Sequence, residues 1–188
     1  MKPFDSLRAQ PVRSILICGT GALATFFAAR LSAVGLTVTM LGSWPAGIEA
    51  LNAHGAKLGD AAYPVRAVSD PQECQGAELA LVLVKAWQTE RTARQLAQCL
   101  AEGGVAVSLQ NGLGNREALA ATLGLERVKG AVTTLGATLL GPGQVRLGGE
   151  GVTTLEAHPA LDGLAVHLAE SGLRVERSAA VESLLWGK

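Results

Sequence analysis

The sequence has only three cysteines, Cys18, Cys74 and Cys99, an odd set with no C-x-x-C spacing. Such a set builds neither a disulfide framework nor a zinc site, and it points to a reducing compartment. The three histidines, His54, His158 and His167, are scattered without ligand spacing, so no metal is expected. Charge of one sign is also missing. Sixteen Lys and Arg balance sixteen Asp and Glu, and no block of like charge stands out. A nucleic-acid binder would carry a basic face, and a polybasic membrane anchor would show as a cationic run. No apolar run approaches the roughly 18 residues of a membrane span. Met1 to Arg13 mixes Lys2, Asp5, Arg8 and Arg13 with two prolines. It lacks the apolar stretch of a secretory signal and reads as a flexible arm. A cytoplasmic protein with no nucleic-acid or membrane partner is expected.

What is present is apolar material and glycine. Apolar residues are 48% of the 188, enough for a packed core, while charged residues are 17% and glycines number 23. The glycines punctuate an alternation of short apolar runs and longer amphipathic segments. Strands are expected at 14–18, 37–41, 63–68, 79–84, 105–109 and 128–134. Helices are expected at 22–33, 46–53, 88–100 (closed by Gly103-Gly104) and 116–123. Runs buried on both faces read as continuous apolar stretches, so the alternation predicts an α/β fold with a doubly wound, mainly parallel sheet. After Gly136 the texture changes. Gly141-Pro-Gly143 and Gly148-Gly-Glu-Gly151 bracket short β-like pieces at 145–147 and 152–155, expected as hairpins at the sheet edge. A helix at 160–171, a strand at 174–176 and the start of a helix at 179–186 follow. Residues 14–188 are expected to form one dinucleotide-binding domain.

That function rests on Gly19-Thr20-Gly21-Ala22-Leu23-Ala24, a G-x-G-x-x-A run placed directly after the first strand and opening the first helix. The first Gly permits the tight turn, the second lets backbone approach a pyrophosphate, and the small third residue allows close helix–strand packing. The helix N-terminus offers free N–H groups to the phosphates. At the end of the second strand, Leu41-Gly42-Ser43-Trp44 holds no acid to bind the ribose of NAD and no arginine for the 2′-phosphate of NADP. The missing acid favours NADPH over NADH. Ser43 offers one hydrogen bond; Trp44 suits an adenine or simple packing equally well. Lys85-Ala-Trp-Gln88 follows the most apolar strand. Its ammonium faces either ligand oxygens or solvent, although a helix start is unfavourable for a cation. Gln110-Asn111-Gly112 follows the next strand, and Asn111 is either a turn residue or a carboxamide for the ligand.

Taken together, these motifs resemble the ketopantoate reductase (2-dehydropantoate 2-reductase) family. The resemblance runs in order through 19–23, Lys85-Ala-Trp-Gln88, Gln110-Asn-Gly-Leu-Gly114, Thr133-Thr-Leu-Gly-Ala137 with Gly141-Pro-Gly143, and Leu185-Trp-Gly-Lys188. It implies a Rossmann-type domain that takes part in NADPH-dependent reduction of a small 2-keto acid, ketopantoate, to pantoate in pantothenate and coenzyme A biosynthesis. It implies that Gly19, Thr20, Gly21, Ala22 and Leu23 cradle the pyrophosphate and that Lys85 and Gln88 line the cofactor cleft. Asn111 would contact cofactor and substrate, and Ala137 the nicotinamide side. Lys188 would be the catalytic lysine, binding substrate and protonating the developing alkoxide.

Two departures accompany the resemblance. Ser43 stands where the family usually has an arginine. The family's C-terminal helical substrate domain is absent from these residues, so the chain alone is expected to bind NADPH weakly and to show little or no reductase activity. A stand-alone, non-catalytic dinucleotide-binding module and a related reductase of another 2-keto acid are the alternatives. An uncapped last helix with Val181, Leu184, Leu185 and Trp186 uncovered favours a domain over a stand-alone module. The sequence leaves the oligomeric state open, a homodimer included.

Overall fold

The computed structural model describes residues 12–186. In chain order the elements are β1 (Ser14–Cys18), α1 (Ala22–Ala33), β2 (Thr37–Leu41), α2 (Pro45–His54), β3 (Ala56–Leu58), β4 (Ala61–Tyr63), β5 (Arg66–Val68), β6 (Ala77–Val82), α3 (Thr89–Cys99), β7 (Leu100–Ser108), α4 (Asn115–Leu123), β8 (Val128–Thr133), β9 (Ala137–Gly141), β10 (Gln144–Leu147), β11 (Val152–Glu156), α5 (Asp162–Glu170), β12 (Arg174–Ser178) and α6 (Val181–Trp186). Eight strands form one sheet in the order β12-β11-β8-β7-β6-β1-β2-β5. From β5 to β8 every pairing is parallel; β11 adds antiparallel to β8, and β12 runs parallel to β11. A second sheet, β4-β3-β10-β9, packs over α1. This is a Rossmann-type doubly wound α/β fold.

The apolar runs owe their continuity to burial on both faces. In β1, Ile15 and Ile17 enter one core with Phe26, Phe27 and Leu31 of α1 and Leu164 and Leu168 of α5. Leu16 and Cys18 enter the other with Ala93 and Leu96 of α3 and Leu119 and Leu123 of α4. The same alternation places Leu79 and Leu81 of β6 in the first core and Ala80 and Val82 in the second. All three cysteines are buried free thiols. Burial pushes Cys18 well above the usual thiol range and Cys99 up to about 11, so the thiol at the end of β1 stays protonated beside the glycine loop.

The structure departs from the sequence reading in five places. Val181, expected to be uncovered on the last helix, is buried where α6 packs on β8, whereas Leu184 is exposed as expected. The strand expected at 63–68 is two short strands in different sheets, β4 and β5, because Pro64 between them lacks the N–H that a ladder needs. Gly103 and Gly104 do not close a helix. α3 ends at Cys99, and both glycines lie inside β7, where the register against β6 is irregular. Gly103 has φ +74, and a Cβ on Gly104 would stand 2.8 Å from the Ala77 carbonyl oxygen. Of the two expected edge hairpins, 145–147 belongs to the second sheet, whereas 152–155 joins the main one. The arm expected at 1–13 lies outside the described residues as far as residue 11. Val12 is packed against the first core and its carbonyl meets His167 Nε2 at 2.9 Å, while Arg13 accepts a bond from Thr37 N–H.

Candidate dinucleotide cleft

The sheet order reverses at β1, which has β2 on one side and β6 on the other. Open α/β sheets bind ligands at such a switch point, beyond the carboxyl ends of the strands. Here a cleft of about 690 Å³ opens at that place. Five parallel strands deliver residues to it: β1 gives Gly19 to Leu23, β2 Leu41 to Trp44, β6 Leu83 to Gln88, β7 Leu109 to Asn111, and β8 Leu135 to Ala137. The rim is stiff because ladder bonds continue past the strand ends. Gly19 N–H donates to Leu41 O (2.8 Å), Leu83 N–H to Cys18 O (2.9 Å), Gly42 N–H to Val68 O (3.0 Å) and Leu109 N–H to Val82 O (3.0 Å).

The glycine loop fits a phosphate group. Gly19 takes φ +124, a conformation that L side chains avoid. Gly21 caps α1 in extended conformation with no side chain in the cap, and a Cβ built on it would meet nothing within 4 Å. An approaching pyrophosphate therefore has open access to the first backbone N–H groups of α1, which by helix geometry lack intrahelical partners. Among the described residues that line the cleft there is no carboxylate, and the cations are Lys85 and Arg91. These observations suit an anionic dinucleotide.

Every cofactor residue expected from the sequence lines this one cleft: Gly19, Thr20, Gly21, Ala22, Leu23, Ser43, Lys85, Gln88, Asn111 and Ala137. Trp44 also lines it, with its ring laid on the backbone of Gly47, so it serves packing and cleft together. Lys85 and Gln88 close a tight turn, Gln88 N–H donating to Lys85 O (2.8 Å) and Lys85 N–H to Gln88 Oε1 (3.3 Å). Lys188 lies outside the described residues.

The sequence reading missed what holds Asn111 in place. Behind it runs a buried polar network. Gln110 Nε2 donates to Val84 O (3.0 Å) and to Thr89 Oγ1 (2.8 Å), while Ser108 Oγ donates to Gln110 Oε1 (3.1 Å). Thr89 Oγ1 donates to Asn115 Oδ1 (3.0 Å), and Asn115 Nδ2 donates to the carbonyls of Asn111 (3.0 Å) and Gly112 (3.1 Å). The network ties the ends of β6 and β7 to the starts of α3 and α4. Thr89→Val keeps the shape but leaves Asn115 Oδ1 without its donor. A chemical denaturation series is expected to show about 1–3 kcal/mol less stability; an unchanged midpoint and slope would mean that Thr89 is no node of the network.

Arg91 and Gln95 were missed as well. Thr89, Thr92, Ala93, Leu96 and Cys99 form the buried stripe of α3. Gln88, Arg91 and Gln95, at spacings of three and four, form a second stripe that faces the cleft. That polar stripe was the available signal.

Comparison with known proteins decides the family. The family model described as ketopantoate reductase PanE/ApbA matches residues 15–160. The chain belongs to the ketopantoate reductase family. A 2-dehydropantoate 2-reductase of Archaeoglobus fulgidus is 35% identical over 184 residues, covering 94% of this chain and 60% of that protein. That of Halobacterium salinarum is 28% identical, covering 93% and 60%. The crystal structure of a PanE/ApbA family ketopantoate reductase from Ralstonia eutropha superposes with a TM-score of 0.85 at 33% identity, covering 92% of this chain and 59% of that one. A D-mandelate dehydrogenase solved with NADH and anilino(oxo)acetate superposes with a TM-score of 0.82 at 25% identity, covering 92% and 59%. The chain thus spans about 60% of the length of the ketopantoate reductases it matches. No described helix is long and apolar enough to cross a membrane.

Proposed function

We propose that this chain is the nucleotide-binding part of an NADPH-dependent reductase that converts 2-dehydropantoate to pantoate, on the route to pantothenate and coenzyme A. The observation that carries the reading is the carboxylate-free cleft at the switch point, with Gly21 open to the ligand and Lys85 on its rim. Family membership supplies the reaction class.

When bound, the reduced nicotinamide supplies a hydride to the carbonyl carbon. The residues of this chain do the rest. Gly19 to Leu23 present backbone N–H groups to the pyrophosphate. Lys85 and Gln88 hold phosphate or ribose oxygens. Asn111, fixed by Asn115 through its own carbonyl, contacts cofactor and substrate, and Ala137 borders the nicotinamide. Lys188 gives the proton that the carbonyl oxygen needs as negative charge develops on it. Turnover also requires the second wall of the substrate cleft, since misplacing a catalytic group by about 1 Å can lose on the order of 100-fold. The chain alone is therefore expected to turn over far more slowly than a full-length relative.

A reductase of another 2-keto acid is the second reading, favoured by the likeness to the D-mandelate dehydrogenase solved with NADH. Equilibrium titration of the chain with NADPH and, in parallel, NADH tests the cofactor half. Saturable binding with NADPH preferred is the expected result. Equal affinities would remove NADPH from the proposal, and no binding of either would overturn the dinucleotide reading.

A further inference from the structure

We propose that Arg91 is the residue that makes this cleft select a 2′-phosphorylated dinucleotide, gripping the 2′-phosphate from α3 in the cleft that Ser43 also lines. The inference rests on the dinucleotide reading above and names the group that chooses between two cofactors differing by that one phosphate.

Selection of a dianionic phosphate needs a cation that is not already neutralised. The end of β2, where the adenosine ribose sits in folds of this type, supplies Gly42, Ser43 and Trp44 but no cation. Arg91 lines the same cleft, carried by α3. It forms no ion pair with a carboxylate among the described residues, although Glu90 is its neighbour. Glu90 instead lies 4.0 Å from Arg94, on the outer side of the helix. An unpaired arginine in the first turn of a helix opposes the helix dipole, so nothing local stabilises it there. An anion arriving in the cleft would.

The topology sets the reach. β2 and β6 flank β1, so their ends stand two strand spacings apart, about 10 Å. α3 follows the β6 loop directly, and Gln88, Arg91 and Gln95 form its cleft-facing stripe. An arginine side chain extended from α3 has to meet a phosphate seated at Ser43 within the one cleft that both residues line. The guanidinium fork can meet two phosphate oxygens at once, which gives selectivity as well as attraction. Lys85, on the loop itself, adds positive potential for either cofactor.

The test is parallel titration of wild type, Arg91→Ala, Arg91→Lys and Arg94→Ala with NADPH and with NADH, read by nicotinamide fluorescence, with a thermal melt of each variant. Arg91→Ala is expected to weaken NADPH by about 10- to 100-fold and to leave NADH within about twofold. Arg91→Lys should keep the charge and recover part of the preference; Arg94→Ala should match wild type. Equal loss for both cofactors, or no loss for either, would overturn the role given to Arg91 while leaving the dinucleotide reading intact. A wild-type chain that bound neither cofactor would overturn both.

Discussion

Gly21→Val is expected to abolish measurable dinucleotide binding while leaving the stability of the fold nearly unchanged. The two halves of this result come from one geometric fact. A Cβ on Gly21 meets no protein atom within 4 Å and the residue is already extended, so the fold has room for the side chain. The open space is the approach to the first turn of α1, where a pyrophosphate would come closest to backbone. A valine there keeps the phosphates off the helix N-terminus. Losing two charge-assisted bonds, each worth about 1.5–3 kcal/mol, corresponds to at least about a hundredfold loss of affinity. For stability, a valine is a poorer N-cap than glycine by a few tenths to about 1 kcal/mol, and the stiffer unfolded chain returns about 0.4–1 kcal/mol. Gly19 should behave differently. At φ +124, with a Cβ only 3.4 Å from the Leu83 carbonyl group, its replacement should lower stability and binding together. Titration and melting of the two variants side by side separate ligand approach from backbone strain. Wild-type affinity in Gly21→Val would remove the phosphates from this helix.

Substitution of Ser43 should move cofactor preference in both directions. Ser43 is exposed, follows β2 and lines the cleft without an acid near it. Ser43→Arg places a cation at the end of β2, as the resemblance would lead one to expect there, and is expected to tighten NADPH by about tenfold with little change for NADH, since a new bond to a charged group contributes about 1.5–3 kcal/mol. Ser43→Asp should do the reverse. Its carboxylate repels a 2′-phosphate across a short distance and accepts from a free ribose hydroxyl, so NADPH is weakened about tenfold or more and NADH strengthened. Equal effects on both cofactors would count against placing Ser43 at the 2′-position. If Arg91 already grips that phosphate, the gain from Ser43→Arg will be smaller in wild type than in Arg91→Ala, because two cations sharing one phosphate do not act additively.

Much of this protein is legible in the chain itself. The run from Gly19 to Ala24 carries its meaning locally: a strand before it, a helix after it and glycines where only glycine serves. The parallel sheet was legible because Ile15 to Ile17 and Leu79 to Val82 are apolar at every position, which only burial on both faces rewards. The order of Lys85, Asn111 and Ala137 after successive strands placed them at one sheet edge, since parallel strands all end on the same side. Tertiary structure decided what depends on partners distant in sequence. Gly103 and Gly104 resemble a helix stop in isolation, and only the pairing of β7 with β6 across the ladder makes them part of a strand. The assignment of β9 and β10 to a second sheet depends on β3, more than eighty residues earlier. The tether of Asn111 through Asn115, Thr89 and Gln110 joins four elements by hydrogen bonds that no local pattern announces. Arg91 stood in plain view as a surface arginine on an amphipathic helix. Which polar stripe of that helix faces solvent and which faces the cleft is set by how the buried stripe from Thr89 to Cys99 docks on the sheet, and that rotation about the helix axis exists only in the folded molecule.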